Sequence, residues 1–419
     1  MFSTSALLHI RPNVTRGPWL ALQHRGQYSS ISIPNKTTSA NSSHVVFCFA
    51  GLGYVPLEAT RDLFRTSAVF RNSIHDFEDA IASHYTKTRT RRPTISLADY
   101  LAESAPRPAS VPGFDSSESR DNEPTTPLAS HVIQASQYAL AHTIQARGIE
   151  PSSVVGYSLG EFIAALFTGS LSLSSAIDFQ ARREALYQDT SLVPEPGGML
   201  TVKAPPSETV RILVQGGAAG DAEVSGYPHP NSTILSGTAK ILDRAQEILA
   251  EASIDTQRRD MKFGMHSSHV GAVTDRIRER PEDFMPTISS DGREAKVVSG
   301  INHWSCLGVK LGADTPLNAK YWATMIRQPI HFTQCVQGIY EEHFNSNEGK
   351  ELIFLDLGMG PRLSRLIVNS LKEKKEWKEG LIRAIGCVEP MKMDAKTKKN
   401  EGWAVEELER KLSVLPSES

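Results

Sequence analysis

The stretch VVGYSLGEFIAALFTG, residues 154–169, constrains this chain more than any other: a serine stands between two glycines where an apolar run gives way to a helical pattern. A β-branched run ending in glycine predicts a buried strand, and the apolar spacing after Gly160 predicts a helix. A serine on such a turn is held exposed. Flanking glycines permit the strained backbone, and N–H groups at the helix start point toward the place where a tetrahedral oxyanion forms. Ser158 is therefore a candidate nucleophile at a strand-to-helix elbow bracketed by Gly156 and Gly160. A hydroxyl attacks well only when a base takes its proton, so the rest of the chain has to supply one.

Upstream, HVVFCFAGLG from His44 predicts a second buried strand running into a glycine-rich turn, and helical spacing follows across residues 58–85. Residues 89–127, rich in Pro, Ser and Asp, predict a long surface excursion, after which SHVIQASQYALAHTIQARG predicts the helix before the Ser158 strand. Residues 199–263 read as strand, helix, strand, strand, helix, strand, the order of a ferredoxin-like unit. KVVSGI and ELIFLDLG then resume strand character, with NAKYWATMI and HFTQCVQGIYEEHF helical between them. The last segment, 373–419, predicts a charged tail with one helix at WAVEELERKL.

Charge and cysteine usage narrow the function classes. Lys+Arg 45 against Asp+Glu 47 leaves a net charge of -2, and no nucleic-acid-binding motif is present, so nucleic acid is not expected as a partner. TKTRTRR and KEKKEWKEG read as solvated surface, the second alternatively as a docking patch for an acidic partner. Cys48, Cys306, Cys335 and Cys387 are scattered without a CxxC spacing, which argues against a disulfide framework and a structural zinc site. No apolar stretch reaches the roughly 20 residues that span a bilayer. Residues 1–35 contain Arg11, Arg16 and Arg25, and the first acidic residue is Glu58; this composition predicts a mitochondrial transit peptide, or else a disordered tail interrupted by Pro12 and Pro18.

Extended by one residue, GYSLGE resembles the GHSxGE nucleophile motif of the malonyl-CoA:acyl-carrier-protein transacylases and of polyketide synthase acyltransferase domains. The resemblance runs in order from Val45 to about Asn369. FCFAGLGYV is similar to the family's FxFxGQGxQ opening, SSHV after His266 to the segment following its base, YWATMIRQPIHF to YWxxxxxxPVxF, and FLDLGMGPRLSRLI to the closing ExGPxxxLxxxI. It implies an α/β fold: an α/β-hydrolase-like large subdomain over 44–198 and 264–372, with the ferredoxin-like small subdomain inserted between its halves.

Carried onto this chain, the resemblance makes Ser158 the residue that becomes acylated and His266 its base. The family's carboxylate-binding arginine, 25 residues after the serine, selects Arg183 over Arg182. A guanidinium fork suits a second carboxylate because it binds in a bidentate manner and stays charged. A helix-surface salt bridge would account for the same residue. Oxyanion donors fall on the backbone N–H groups of Leu159 and Leu52, and the carbonyl that orients the base falls on Met325. Gln188 matches a position near the family's pocket, though a solvated helix glutamine explains it equally. Neither a cofactor nor a metal is implied. The implied partners are an acyl-CoA, with malonyl-CoA first, and an acyl carrier protein, in fatty-acid or polyketide biosynthesis.

Several positions depart from the family pattern. Tyr157 stands where histidine is usual, GLGYV has lost both glutamines of GQGxQ, and Ser130 stands near the family's QPA glutamine. Leu159 resembles the branched residue of malonyl-selective members, whereas FGMH before the base matches neither malonyl- nor methylmalonyl-selective forms, which leaves the acyl group open. Two alternatives follow: an acyl-thioester hydrolase on the same fold, and a non-catalytic homologue that docks a carrier protein.

Overall fold

Strands that are apolar on both faces belong inside a sheet covered by helices on each side. HVVFCF, SVVG and LIFLD are of this kind, and they form adjacent strands at the centre of the larger of two sheets in this computed structural model. The structure describes residues 43–53, 55–88, 96–102, 127–218, 220–284, 286–287, 293–298, 300–346, 349–360, 362–388 and 402–415. The expected transit peptide at 1–35 lies outside the described residues, as do 89–95 and 103–126 of the expected excursion.

In chain order the first elements are β1 (His44–Phe49), α1 (Leu57–Thr66), α2 (Ala68–Thr88), α3 (Leu97–Leu101), α4 (Pro127–Gln145), β2 (Ser153–Gly156), α5 (Gly160–Phe167) and α6 (Leu173–Gln188). Then come β3 (Gly197–Val202), α7 (Pro206–Gln215), β4 (Glu223–His229), β5 (Ser232–Thr238), α8 (Ala239–Glu251) and β6 (Thr256–Met261). The last group is α9 (Gly271–Glu279), β7 (Asn302–Ser305), β8 (Val309–Leu311), α10 (Ala319–Arg327), α11 (Phe332–Ser346), β9 (Leu352–Asp356), α12 (Arg362–Leu371), α13 (Lys375–Lys378), β10 (Ile382–Gly386) and α14 (Trp403–Leu412).

The large sheet has the order β10-β9-β1-β2-β7-β8 and is parallel except for β8. Loops at the carboxyl ends of β9, β1 and β2 therefore open on one edge of the sheet, where open α/β sheets place their ligands. Among the described residues no helix is long and apolar enough to cross a membrane.

The small sheet, β4-β5-β3-β6, is antiparallel throughout, and with α7 and α8 it has the ferredoxin-like strand order. It carries its own core of Leu200, Val202, Leu213, Leu235, Leu242 and Leu249. Its edge strand is stitched to the large part by backbone hydrogen bonds: Tyr227 N–H donates to Ile330 O at 2.7 Å and Ile330 N–H to Ser225 O at 3.0 Å. The two sheets thereby face each other across a cleft.

The helical spacing over 58–85 divides into two helices at Ser67, whose extended backbone turns the chain and whose Oγ accepts from Phe70 N. Three expectations need correction. The excursion is not all surface, because α3 buries Leu97, Tyr100 and Leu101, with Ser96 Oγ capping Asp99 N at 2.9 Å. KVVSGI leaves only an isolated bridge at Lys296, and the sheet strand β7 starts just after it. The segment beyond Lys372 is more than a tail, since β10 adds a parallel edge strand to β9 and α14 packs on α1. Asp62 on α1 fixes that helix by accepting from Gly402 N and Ala404 N at 2.8 Å each. β10 lies at the margin of the sheet and is only partly buried, so IRAIG lacks the continuous apolar signal of the central strands.

Candidate active site

Ser158 has φ 55°, a left-handed conformation that strains a residue carrying a side chain. The two glycines make room for it. A Cβ on Gly160 would lie 2.0 Å from Phe49 O, and one on Gly156 would lie 2.3 Å from Glu161 N. With those positions bare, β2 and α5 approach β1 closely, and Glu161 N–H bonds Ser158 O at 3.0 Å to close the elbow.

His266 Nε2 lies 2.8 Å from Ser158 Oγ. Its backbone is left-handed too, with φ 57°, and its ring is buried. Nδ1 faces two carbonyls, Met325 O and Gln328 O, each at 3.1 Å. Carbonyls only accept, so Nδ1 carries the proton and Nε2 presents its lone pair to the hydroxyl. Burial pushes the imidazole down to about 4, and the charge of Arg183 lowers it further against the raising effect of the two carbonyls. The ring is thus neutral at physiological pH and able to accept a proton. The turn carrying it is locked from within: Gly264 N–H donates to His269 Nδ1 at 2.7 Å, His269 Nε2–H donates to Glu195 O at 3.1 Å, and Ser267 Oγ–H donates to Gly264 O at 2.8 Å.

The carbonyls are available for a local reason. In a helix, Met325 O would accept from the N–H of residue 329, but that residue is Pro329, which has none. The proline also forces the residue before it out of helical conformation. Gln328 is extended, at φ -83° and ψ 154°, and turns its own carbonyl toward the imidazole. Met325 was expected from the family resemblance. Gln328 was not, although the QP pair in RQPIHF is its signal.

Leu52 and Leu159 flank the serine, and neither N–H is used by a hydrogen bond among the described residues. The turn bearing Leu52 is pinned by Gln137 on α4, whose Oε1 accepts from Ala50 N at 2.7 Å and whose Nε2 donates to Ala50 O at 3.1 Å. A Cβ on Gly51 would lie 2.7 Å from Tyr157 O, so glycine is needed for this loop to lie against the elbow. Gln137 supplies a polar clamp under a loop whose own glutamines are replaced. Sequence reading missed it because it lies 87 residues away along the chain.

Arg183 sits on α6, buried, with no carboxylate paired to it among the described residues and with its Nε unpartnered. Its guanidinium lies 5.6 Å from the ring centroids of both Phe162 and Tyr187. Those rings are braced in turn by stacking on Trp322 and Phe263. Arg183 lines a 310 Å³ cavity with Gln180, His84 and His131 rather than the cleft that holds Ser158, yet it is close enough for its charge to act on His266. Arg182 is exposed and pairs with Asp283 at 3.7 Å. Gln188 is not in the site: it is exposed at the end of α6, donating to Glu184 at 2.8 Å and accepting from Lys262 at 2.6 Å.

Glu161 was also missed. Its carboxylate is fully buried and accepts from His303 Nε2 at 3.1 Å, Tyr321 Oη at 2.5 Å and Cys306 N at 2.9 Å. Burial alone would raise its proton affinity, but those bonds outweigh it and hold the group below the usual carboxylate range. Glu161 thereby ties the elbow to β7 and α10, the helix whose end orients His266.

Ser158 and His266 open on a 670 Å³ cleft between the sheets, walled by Met199, Ile234, Met261 and Met265. The arrangement is a half-buried hydroxyl that lines the cleft, bonded to an oriented neutral base beside two N–H donors unengaged among the described residues, the equipment for attack on an acyl carbon.

Comparison with known proteins agrees with this chemistry. The family described as "Acyl transferase domain" matches residues 46–400. The highly reducing polyketide synthase sphB of Aspergillus fumigatus is 28% identical over 342 residues, which cover 81% of this chain and 12% of that protein. Polyketide synthase GfsB of Streptomyces halstedii is 27% identical over 321 residues, covering 76% of this chain and 5% of that one. The chain thus spans a small part of the curated relatives it matches. The acyltransferase domain from the second module of the salinomycin polyketide synthase superposes with a TM-score of 0.62 at 20% identity, covering 88% of this chain and 72% of that chain. A malonyl-transacylase solved in complex with a type II polyketide synthase acyl-carrier protein gives 0.59 at 18% identity, covering 82% and 95%. At these identities the likeness establishes a common fold.

Proposed function

The chain belongs to the acyl transferase domain family, and from that membership and the geometry of its cleft we propose that it moves a malonyl or related carboxyacyl group from CoA to the phosphopantetheine thiol of an acyl carrier protein. The observation that carries this reading is the 2.8 Å contact between Ser158 Oγ and His266 Nε2. His266 takes the hydroxyl proton as Oγ bonds to the thioester carbonyl carbon, and the N–H groups of Leu52 and Leu159 receive the oxyanion. Collapse breaks the C–S bond, and the departing CoA thiolate takes the proton from His266. The carrier thiol then gives its proton to His266 and attacks acyl-Ser158, and the serine leaves with that proton restored.

A buried guanidinium without a carboxylate is costly unless a ligand supplies one. Arg183 is in that state, which supports an acyl group with a second carboxylate. The non-catalytic alternative has no use for an oriented, neutral His266. Polyketide or fatty-acid assembly is the setting. The basic, acid-free residues 1–35 support mitochondrial targeting, to be tested by locating the protein with and without them.

Intact mass after incubation with malonyl-CoA tests the central step. The wild type is expected to gain one malonyl group and Ser158→Ala none, with discharge on adding an acyl carrier protein. Labelling that persists in Ser158→Ala overturns the assignment, and discharge at the same rate without the carrier makes the protein a hydrolase. Arg183→Ala is expected to shift preference from malonyl-CoA toward acetyl-CoA; an unchanged ratio removes Arg183 from acyl recognition.

A further inference from the structure

The cleft above Ser158 is one-sided in charge: Lys203, Arg259, Arg362 and Arg365 line it, and among the described residues no Asp or Glu does, although Lys203 is itself paired with Asp255 at 3.1 Å. The contrast is sharpest along β6. Side chains alternate across a strand. Gln257, Arg259 and Met261 face the cleft, whereas Arg258 points to the other side and pairs with Asp260 at 2.6 Å and Asp243 at 3.6 Å. One of two consecutive arginines is thus neutralised by its own protein, and the other is left for something else.

Arg259 meets a second guanidinium from α12. Arg362 packs over the turn after β1, where a Cβ on Gly53 would lie 2.1 Å from its Nη1, while Arg259 Nη1 donates to Leu52 O at 3.5 Å. Neither has a carboxylate within ion-pair distance among the described residues. Arg362 does feel Asp356, but both oxygens of that carboxylate are taken up by Gly358 N and Ser364 N. Both guanidiniums stay open to solvent along the cleft, yet desolvation lowers the proton affinity of each, and for Arg362 the like charge of Arg259 adds to it. Two converging forks on one turn form a receptor for a compact oxyanion, since each can bind phosphate oxygens in a bidentate manner.

We propose that Arg259 and Arg362 form a subsite for the phosphate of the phosphopantetheine arm, the group common to CoA thioesters and carrier-protein thioesters. The inference rests on the function proposed above. Arg183 answers to the acyl end of the substrate and this pair to the far end of its arm. Because the pair touches Leu52 and Gly53, phosphate binding also steadies the turn that offers the Leu52 N–H, so loss of the phosphate lowers kcat as well as raising KM.

The test compares Ser158 acylation by malonyl-CoA, malonyl-phosphopantetheine and malonyl-pantetheine, which has no phosphate. In the wild type, kcat/KM is expected to fall about 10- to 100-fold at the last step, the range for losing hydrogen bonds to a charged group. In the Arg259→Gln/Arg362→Gln double variant the ratio between the last two substrates is expected to approach one. Each ratio is taken within one protein, so partial loss of folded material cancels. Arg258→Gln, on the opposite face of β6, is expected to keep the wild-type ratio. A double variant that keeps the wild-type ratio overturns the subsite, as does a drop that falls only between CoA and phosphopantetheine, which assigns the anion to the nucleotide. If the wild type is acylated by all three equally, this inference fails and the acyltransfer reading stands. If it is acylated by none, the acyltransfer reading itself fails.

Discussion

The carbonyl oxygen of Met325 lies 3.1 Å from Nδ1 of His266, and it is free to do so because the residue four positions further along is a proline. The helix α10 ends with carbonyls that have no intrahelical donor, and the imidazole takes two of them. Orientation of the proposed base is thereby built into a helix terminus rather than a carboxylate. The ring is fixed in one tautomer without a neighbouring negative charge that would raise its proton affinity.

Pro329→Ala tests this. A restored N–H at residue 329 competes for Met325 O and lets the helix run on. Acylation of Ser158 is expected to slow by about 10- to 100-fold, the scale of a small misplacement of a reacting group. Stopped-flow or quenched intact mass reads the rate. A rate within twofold of the wild type at unchanged thermal stability removes the proline from the argument.

The pH profile follows from burial of His266. Protonation removes the lone pair that takes the Ser158 proton, so activity falls as pH drops. With the imidazole pushed down to about 4 by burial, kcat/KM for acylation is expected to stay flat from neutral pH until the acid limb near 4, well below the 6.5 of a free histidine. Arg183 also lowers the imidazole, so Arg183→Ala is expected to move that limb upward. A wild-type limb at 6.5 contradicts the buried, neutral base.

Glu161 is a test of stability rather than chemistry. Glu161→Ala leaves His303, Tyr321 and the Cys306 N–H without their acceptor in a fully buried position. The expected loss is about 3 to 5 kcal/mol in urea unfolding, as for other broken buried charge networks. The folded-state proton affinity of this carboxylate is depressed, so its contribution is present above the ordinary carboxylate range and is lost as pH falls through the folded value. A loss below 1 kcal/mol contradicts the network.

What the amino-acid order determined by itself is local. Gly156, Ser158 and Gly160 announce an elbow because only glycine admits so close an approach of chains. The small subdomain was legible because each of its elements carries its own periodicity and turn residues, and Pro329 marks the end of α10 without reference to anything distant. Ser158 and His266, 108 residues apart, were paired in advance only through the order of family motifs, since no local pattern encodes which side chains meet. Gln188 shows the limit of that route. It matched a position near a pocket, yet the helical turn beyond Arg183 and Tyr187 carries it out to solvent.

Tertiary structure alone decided the Gln137 clamp, the Glu161 network, the edge strand β10 and the different fates of Arg258 and Arg259. Each depends on which face of an element is covered. Partner and burial are properties of packing between elements, and the free energy that selects them comes from apolar area and hydrogen bonds shared across long sequence separations.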